Sequence, residues 1–298
     1  MPMYNKPHLT FEEQINLLQM RGLTVNNIET AKNVLASSNY YRFTGYAIPF
    51  MDEREKFKEG VTFENVLQAM CLDEQLRDLL AVALKHIEID FRTTFAYEHS
   101  LPPNGPMGYK NPDCFVDAQQ HQKTLEKIND AVTNSKNEKC VVHLNQKYGE
   151  IPVWAMVEVV SFGTIVRLYK NSIKPDMNRI ARRYMMKSRI LATYMHHLSV
   201  VRNMCAHHTR LWDKSFICFN PLNKWMKRKL PADETRHLFY TLLVVHHLTS
   251  QIPPEFFNRV AWKKDLIKLL ENFIALPNCN ASTIIGIPAN GFDDAWWE

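Results

Sequence analysis

The chain has 298 residues, 46% of them hydrophobic, with 36 Lys and Arg against 31 Asp and Glu for a net charge of +5. That is enough for a sizeable buried core, yet no run reaches the roughly 18 apolar residues of a membrane helix. The six cysteines show no Cys-x-x-Cys pair and no disulfide-scaffold density, and the opening Met-Pro-Met-Tyr-Asn-Lys lacks the apolar core of a secretory signal, so the expectation is a cytoplasmic protein with reduced thiols.

Nine glycines and no strand–turn rhythm predict an all-α fold. Residues 8–36 read as a helix pair. Thr10-Phe-Glu-Glu has the capping-box pattern, Ile15, Leu17 and Leu18 follow at helical spacing, and Gly22 closes the first helix. Residues 38–50, dense in Tyr40, Tyr41, Phe43 and Tyr46, read as a turn of packing rings or a short hairpin. Residues 62–99 give the strongest helical period, as one long helix or two in line. Leu101-Pro-Pro-Asn-Gly-Pro breaks it and opens a loop to 115. Helices are expected at 117–136, 138–148, 152–170, 176–184, 187–207, 233–251 and 262–274, before a mostly irregular tail at 276–298. No repeat or flexible linker appears, so the segments 1–58, 59–252 and 253–298 are expected to form one compact unit.

Charge is distributed unevenly. Residues 167–229 hold fifteen Lys and Arg but only Asp176 and Asp213 as acids, so the remainder of the chain is net acidic. A local field of this kind suits a polyanion, nucleic acid above all, because phosphate neutralisation supplies its affinity. The plainer alternative is a solvated face. The track would comprise Arg179, Arg182, Arg183, Lys187 and Arg189 together with Lys224, Trp225, Lys227, Arg228 and Lys229. Trp225 among lysines suits either base stacking or the core.

Within the basic region, winding Ser199–His207 at about 100° per residue puts Arg202, Asn203 and His207 on one face beside small Ser199 and Ala206. Leu198, Val200, Val201, Met204 and Cys205 fall on the other. If the helix continues, His208 joins the apolar face, which predicts a functional His207 and a buried, structural His208. Glu88 and Arg92, four apart in an apolar helix, read as a structural ion pair or as a brace for Arg202 or His207. Cys205, His207, His208 and Cys218 match no four-ligand zinc pattern, and no Gly-rich phosphate loop, Gly-x-Ser-x-Gly elbow or HExxH is present, so neither metal nor cofactor is expected.

Arg202-Asn203-x3-His207 resembles the Arg-x4–6-His signature of the HEPN ribonuclease superfamily. Arg92/His99 and Arg189/His196 repeat the short pattern at its widest spacing, without the asparagine. The longer run Arg202-Asn-Met-Cys-Ala-His-His-Thr-Arg-Leu-Trp212 is similar to the Abi-like abortive-infection family of the AbiD/AbiF type. So are Asn39-Tyr-Tyr-Arg-Phe-Thr-Gly-Tyr46, Asp73-Glu-Gln-Leu-Arg77, Ile87-Glu-Ile-Asp-Phe-Arg92 and the stretch from Tyr148-Gly149 to Phe162-Gly163. The resemblance implies a HEPN-like helical bundle over 59–252 with terminal appendages. It also implies a metal-independent endoribonuclease that serves as a toxin in anti-phage defence, restrained by a regulatory RNA or a protein antitoxin. In such an enzyme the ribose 2′-hydroxyl attacks phosphorus, His207 moves a proton, Arg202 holds the phosphorane charge and Asn203 orients His207 or the phosphate. A homodimer that pairs two such faces in a composite site is the implied assembly. A non-catalytic RNA-binding module and a helical protein–protein adaptor are the rival readings of the same residues.

Overall fold

A computed structural model describes residues 7–216 and 236–297. The fold is all-α. Among the described residues there are thirteen α-helices and no β-strand, only isolated bridges such as Met51–Phe57.

Helix α1 (Phe11–Met20) starts at the expected capping box, with Thr10 accepting from the Glu13 amide and Glu13 accepting from the Thr10 amide. Helix α2 (Ile28–Ser38) follows, capped by Asn27. The aromatic stretch is neither a turn nor a hairpin but a third helix, α3 (Tyr40–Ala47). Asn39 initiates it by accepting from the Tyr41 amide at 2.9 Å, and Phe43, Tyr46 and Ala47 recur at helical spacing on its buried side. Three- and four-residue spacing decided the structure here, over the β-propensity of the rings.

The organising element is α4 (Phe63–His99), a single 37-residue helix about 55 Å long. Its start carries reciprocal Thr62–Asn65 caps. Along it α3, α7 (Val153–Val159), α8 (Phe162–Asn171), α9 (Lys174–Arg183) and α10 (Ser188–Ala206) pack in turn. The predicted helix at 152–170 is two helices, because Val160 is extended and Ser161 caps a fresh start by accepting from the Thr164 amide. Helices α9 and α10 both run antiparallel to α4. Asp176 of α9 meets His99 at 3.3 Å, while Arg183, further along α9, meets Asp90. Arg202 of α10 meets Glu88, and the later Leu211 and Trp212 reach Asp73.

Helices α5 (Ala118–Asn134) and α6 (Lys139–Tyr148) flank this centre. At the C-terminal side α11 (Leu238–Leu248) is buried almost all round, and α12 (Arg259–Ile274) packs on α4. The tail expected to be mostly irregular contains a short helix, α13 (Ala281–Ile285), and buries Trp296 and Trp297 against Phe239. Among the described residues no helix is long and apolar enough to cross a membrane.

Candidate functional site

Helix α10 ends one residue before His207. The His208 amide donates to the Cys205 carbonyl at 3.1 Å and the Thr209 amide to the Met204 carbonyl at 2.8 Å. His208 stands between them in the left-handed region at φ 55°. This is a Schellman C-cap with histidine in the position that glycine favours. The expectation that His208 continues the apolar face and is buried is therefore overturned: the chain turns before it gets there, and His208 is exposed, as is His207.

Packing between α4, α8 and α9 also rotates the predicted boundary of α10. Its solvent stripe runs through His196, Val200, Asn203 and His207. Ser199, placed by winding on the open face, is buried and donates from Oγ to the His196 carbonyl. Arg202 lies on the flank of the stripe and leans towards α4. Of the paired histidines elsewhere, His197 and His246 are buried, His247 is half-buried and His196 is exposed.

Glu88 is the hub of the site. Its buried carboxylate receives Nε of Arg202 on Oε2 at 2.9 Å and the guanidinium of Arg92 on Oε1. Arg92 in turn donates to the Val157 carbonyl, tying in α7. Nη1 of Arg202 lies 3.4 Å from Oδ1 of Asn203. The Arg202 side chain is 42% exposed against 9% for Glu88, so one edge of the guanidinium is anchored and the other faces solvent. That open edge borders a cleft of about 540 Å³, lined also by Lys85, Arg92, Glu158, Ala206 and His208. His208, and not His207, stands with Arg202 on its wall.

The segment after α10 is held by side chains from far away in sequence. Arg42 donates to the His208 carbonyl at 2.9 Å, and Arg210 donates to the Gly45 carbonyl. Asp73, wholly buried, accepts from the amides of Leu211 and Trp212 and from the Tyr46 hydroxyl at 2.6 Å, and it pairs with Arg77. Burial together with this carboxylate pushes the Tyr46 phenol up to about 12. Trp212 then stacks on Phe273 at 5.2 Å. Helix α3, through Arg42, Gly45 and Tyr46, thus locks the turn that carries both histidines.

These clamps join Asn39–Tyr46, Asp73–Arg77, Ile87–Arg92 and Arg202–Trp212 into one framework, and a family model described as Abi-like protein matches residues 33–213. The chain belongs to the Abi-like family. Membership points to abortive-infection defence. Comparison with curated proteins and with solved structures finds no match.

In this Abi-like chain the predicted basic track falls into two parts. Lys224, Trp225, Lys227, Arg228 and Lys229 lie outside the described residues. Arg179, Arg182 and Arg183 come together on a cleft of about 770 Å³ between α4 and α9. Arg179 is tied to Asp176 at 2.7 Å and Arg183 to Asp90, whose carboxylate raises the Arg183 pKa. Arg182 is exposed and has no carboxylate partner among the described residues. Lys187 and Arg189 are exposed at the start of α10, outside that lining. Among the described residues no group of three His, Cys, Asp or Glu is placed to hold a metal ion.

Proposed function

We propose that this Abi-like protein is an endoribonuclease of the HEPN type, acting in abortive-infection defence by metal-independent cleavage. The observation that carries the reading is the anchoring of Arg202. Glu88 fixes its Nε while the opposite edge stays open to a cleft that His208 also lines. An oriented guanidinium with a free edge suits the two charged non-bridging oxygens of a phosphorane.

In the reaction the ribose 2′-oxygen forms a bond to phosphorus as its proton passes to a base, and the P–O5′ bond breaks as the leaving oxygen takes a proton. The products are a 2′,3′-cyclic phosphate and a 5′-hydroxyl. His207 moves the proton in this reading, with Asn203 beside Arg202 orienting the phosphate. One observation supports a second assignment within the same function: His208 lines the Arg202 cleft, and Arg202-x5-His208 also falls within the spacing of the signature. RNA is the substrate, and a regulatory RNA or a protein antitoxin is the proposed restraint.

The test is incubation of purified protein with total RNA in EDTA, followed by end-group analysis. Cyclic phosphate ends that vanish in Arg202→Ala support the proposal. Intact RNA, or 5′-phosphate products, would overturn it.

A further inference from the structure

The Arg202 cleft does not end at Glu88. Glu158 lines both it and a neighbouring groove of about 490 Å³, and Thr93 and Tyr97 line both that groove and the arginine cleft. The three cavities therefore adjoin along one side of α4. From Glu88 to Glu98 the path covers ten residues of helix, about 15 Å.

Two aromatic rings stand in the middle of this path without burial to explain them. Tyr97 is 67% exposed and Trp154 54% exposed, and both line the central groove. Helical geometry accounts for each. Lys85, Ile89, Thr93 and Tyr97 recur every four residues as an exposed stripe of α4. On α7, Trp154 and Glu158 share the outward face while Val153, Ala155, Met156 and Val157 turn inward. Exposed aromatics flanked by cations at both ends, Arg202 on one side and on the other Arg182, which has no carboxylate partner among the described residues, are what a flexible polyanion with stackable rings requires.

We propose that single-stranded RNA lies across this face of α4, with bases stacked on Trp154 and Tyr97 and a flanking phosphate held at Arg182. The identity of the polymer as RNA rests on the ribonuclease reading above. A duplex does not fit the proposal, because its bases are already stacked on one another and expose no face to the rings. The path also assigns work to the arginine cleft: it anchors the strand a few nucleotides from the scissile phosphate at Arg202.

The experiment measures binding apart from cleavage. The probe is a fluorescein-labelled single-stranded RNA of mixed sequence with 2′-O-methyl riboses, which cannot supply the attacking hydroxyl, beside the same sequence as a duplex. Fluorescence anisotropy on full-length protein is expected to show Trp154→Ala and Tyr97→Ala each weakening single-strand binding by roughly tenfold, with Trp154→Phe restoring most of it. Arg182→Gln should lower the slope of log affinity against log salt by about 0.7, the value for one single-strand phosphate contact. All three side chains are exposed, so melting temperatures should match wild type. Unchanged binding in both aromatic variants overturns the path while leaving the ribonuclease reading intact if the wild type cleaves RNA. A change of oligomeric state with normal RNA binding also overturns it, by making this face a subunit contact. Weakened binding in a protein that cleaves nothing keeps the path and removes the ribonuclease. A wild type that binds no RNA removes both.

Discussion

Nε of Arg202 donates to Oε2 of Glu88 at 2.9 Å, joining residues 114 positions apart, while the other carboxylate oxygen of Glu88 holds Arg92. One buried acid thereby sets the position of the exposed arginine in the proposed chemistry and ties α4 to α7 and α10. The same carboxylate thus pairs with Arg92 within α4 and contacts Arg202 of α10.

Glu88→Ala should destabilise the protein by on the order of 3 kcal/mol, because it strands the Arg92 guanidinium in a poorly solvated site. The more exposed Arg202 adds little to that loss. Glu88→Gln keeps the volume and some hydrogen bonding, so it should fold near normally yet cut RNA more slowly as Arg202 loses its anchor. Denaturant unfolding and single-turnover cleavage on both variants check this. A Glu88→Gln protein that cleaves at the wild-type rate would show that Arg202 needs no such brace.

The two histidines can be separated because His208 occupies a left-handed position. His208→Gly removes the imidazole and relieves the backbone cost, so stability should hold or rise by about 0.5–1 kcal/mol. With His207 as the proton carrier, His208→Gly retains cleavage and His207→Ala abolishes it. The reverse pattern assigns the proton to His208. Thermal melts run in parallel keep a folding defect from imitating a chemical one.

Most of the fold was legible because helical periodicity was strong wherever a helix packs on one side. The exceptions have local causes. The Tyr40–Ala47 rings looked like a turn because their β-propensity hid a capped two-turn helix. Val160-Ser161 broke a helix that hydropathy alone would continue. At the site, helical winding separates Arg202 from the apolar positions, whereas the exposure of His208 follows from a C-cap that no glycine marks in the sequence. The burial of Ser199 depends on α4, α8 and α9 crowding α10 together, which no single-helix projection contains. Trp154 and Tyr97 gave no signal, since an exposed ring and a core ring look alike in sequence.

Acid should weaken the protein. Burial holds His197 and His246 down at about 4, against an ordinary 6.5. Between those values the unfolded chain takes up protons that the folded chain refuses, so stability falls as pH drops from 6.5 towards 4 and then levels off for these groups. Each contributes on the order of 3 kcal/mol across the full window. Melting temperature should accordingly decline from pH 7 to 4.5. His197→Gln, which keeps a hydrogen-bonding partner for Thr241, should make the decline shallower. A melting temperature flat across this range would mean that these rings titrate normally in the fold.

Cleavage through a cyclic phosphate benefits from a base at the 2′-hydroxyl and an acid at the leaving oxygen, and one His207 serves poorly as both. The solvent stripe of α10, with Val200, Asn203, small Ala206 and His207, is exposed among the described residues and is the face proposed to meet a second copy. A two-fold contact there would set two His207 side chains against a shared strand. The expected state is a dimer in light scattering. If each site draws on both protomers, equal mixing of wild type with His207→Ala, after subunit exchange, should leave about a quarter of the activity, where independent sites would leave about half. Val200→Glu, which charges the exposed stripe without touching Arg202 or either histidine, should favour the monomer and lower cleavage together. A protein that is monomeric throughout and cleaves at full rate would rule the dimer out and leave the adjacent His207 and His208 to divide the proton transfers within one chain.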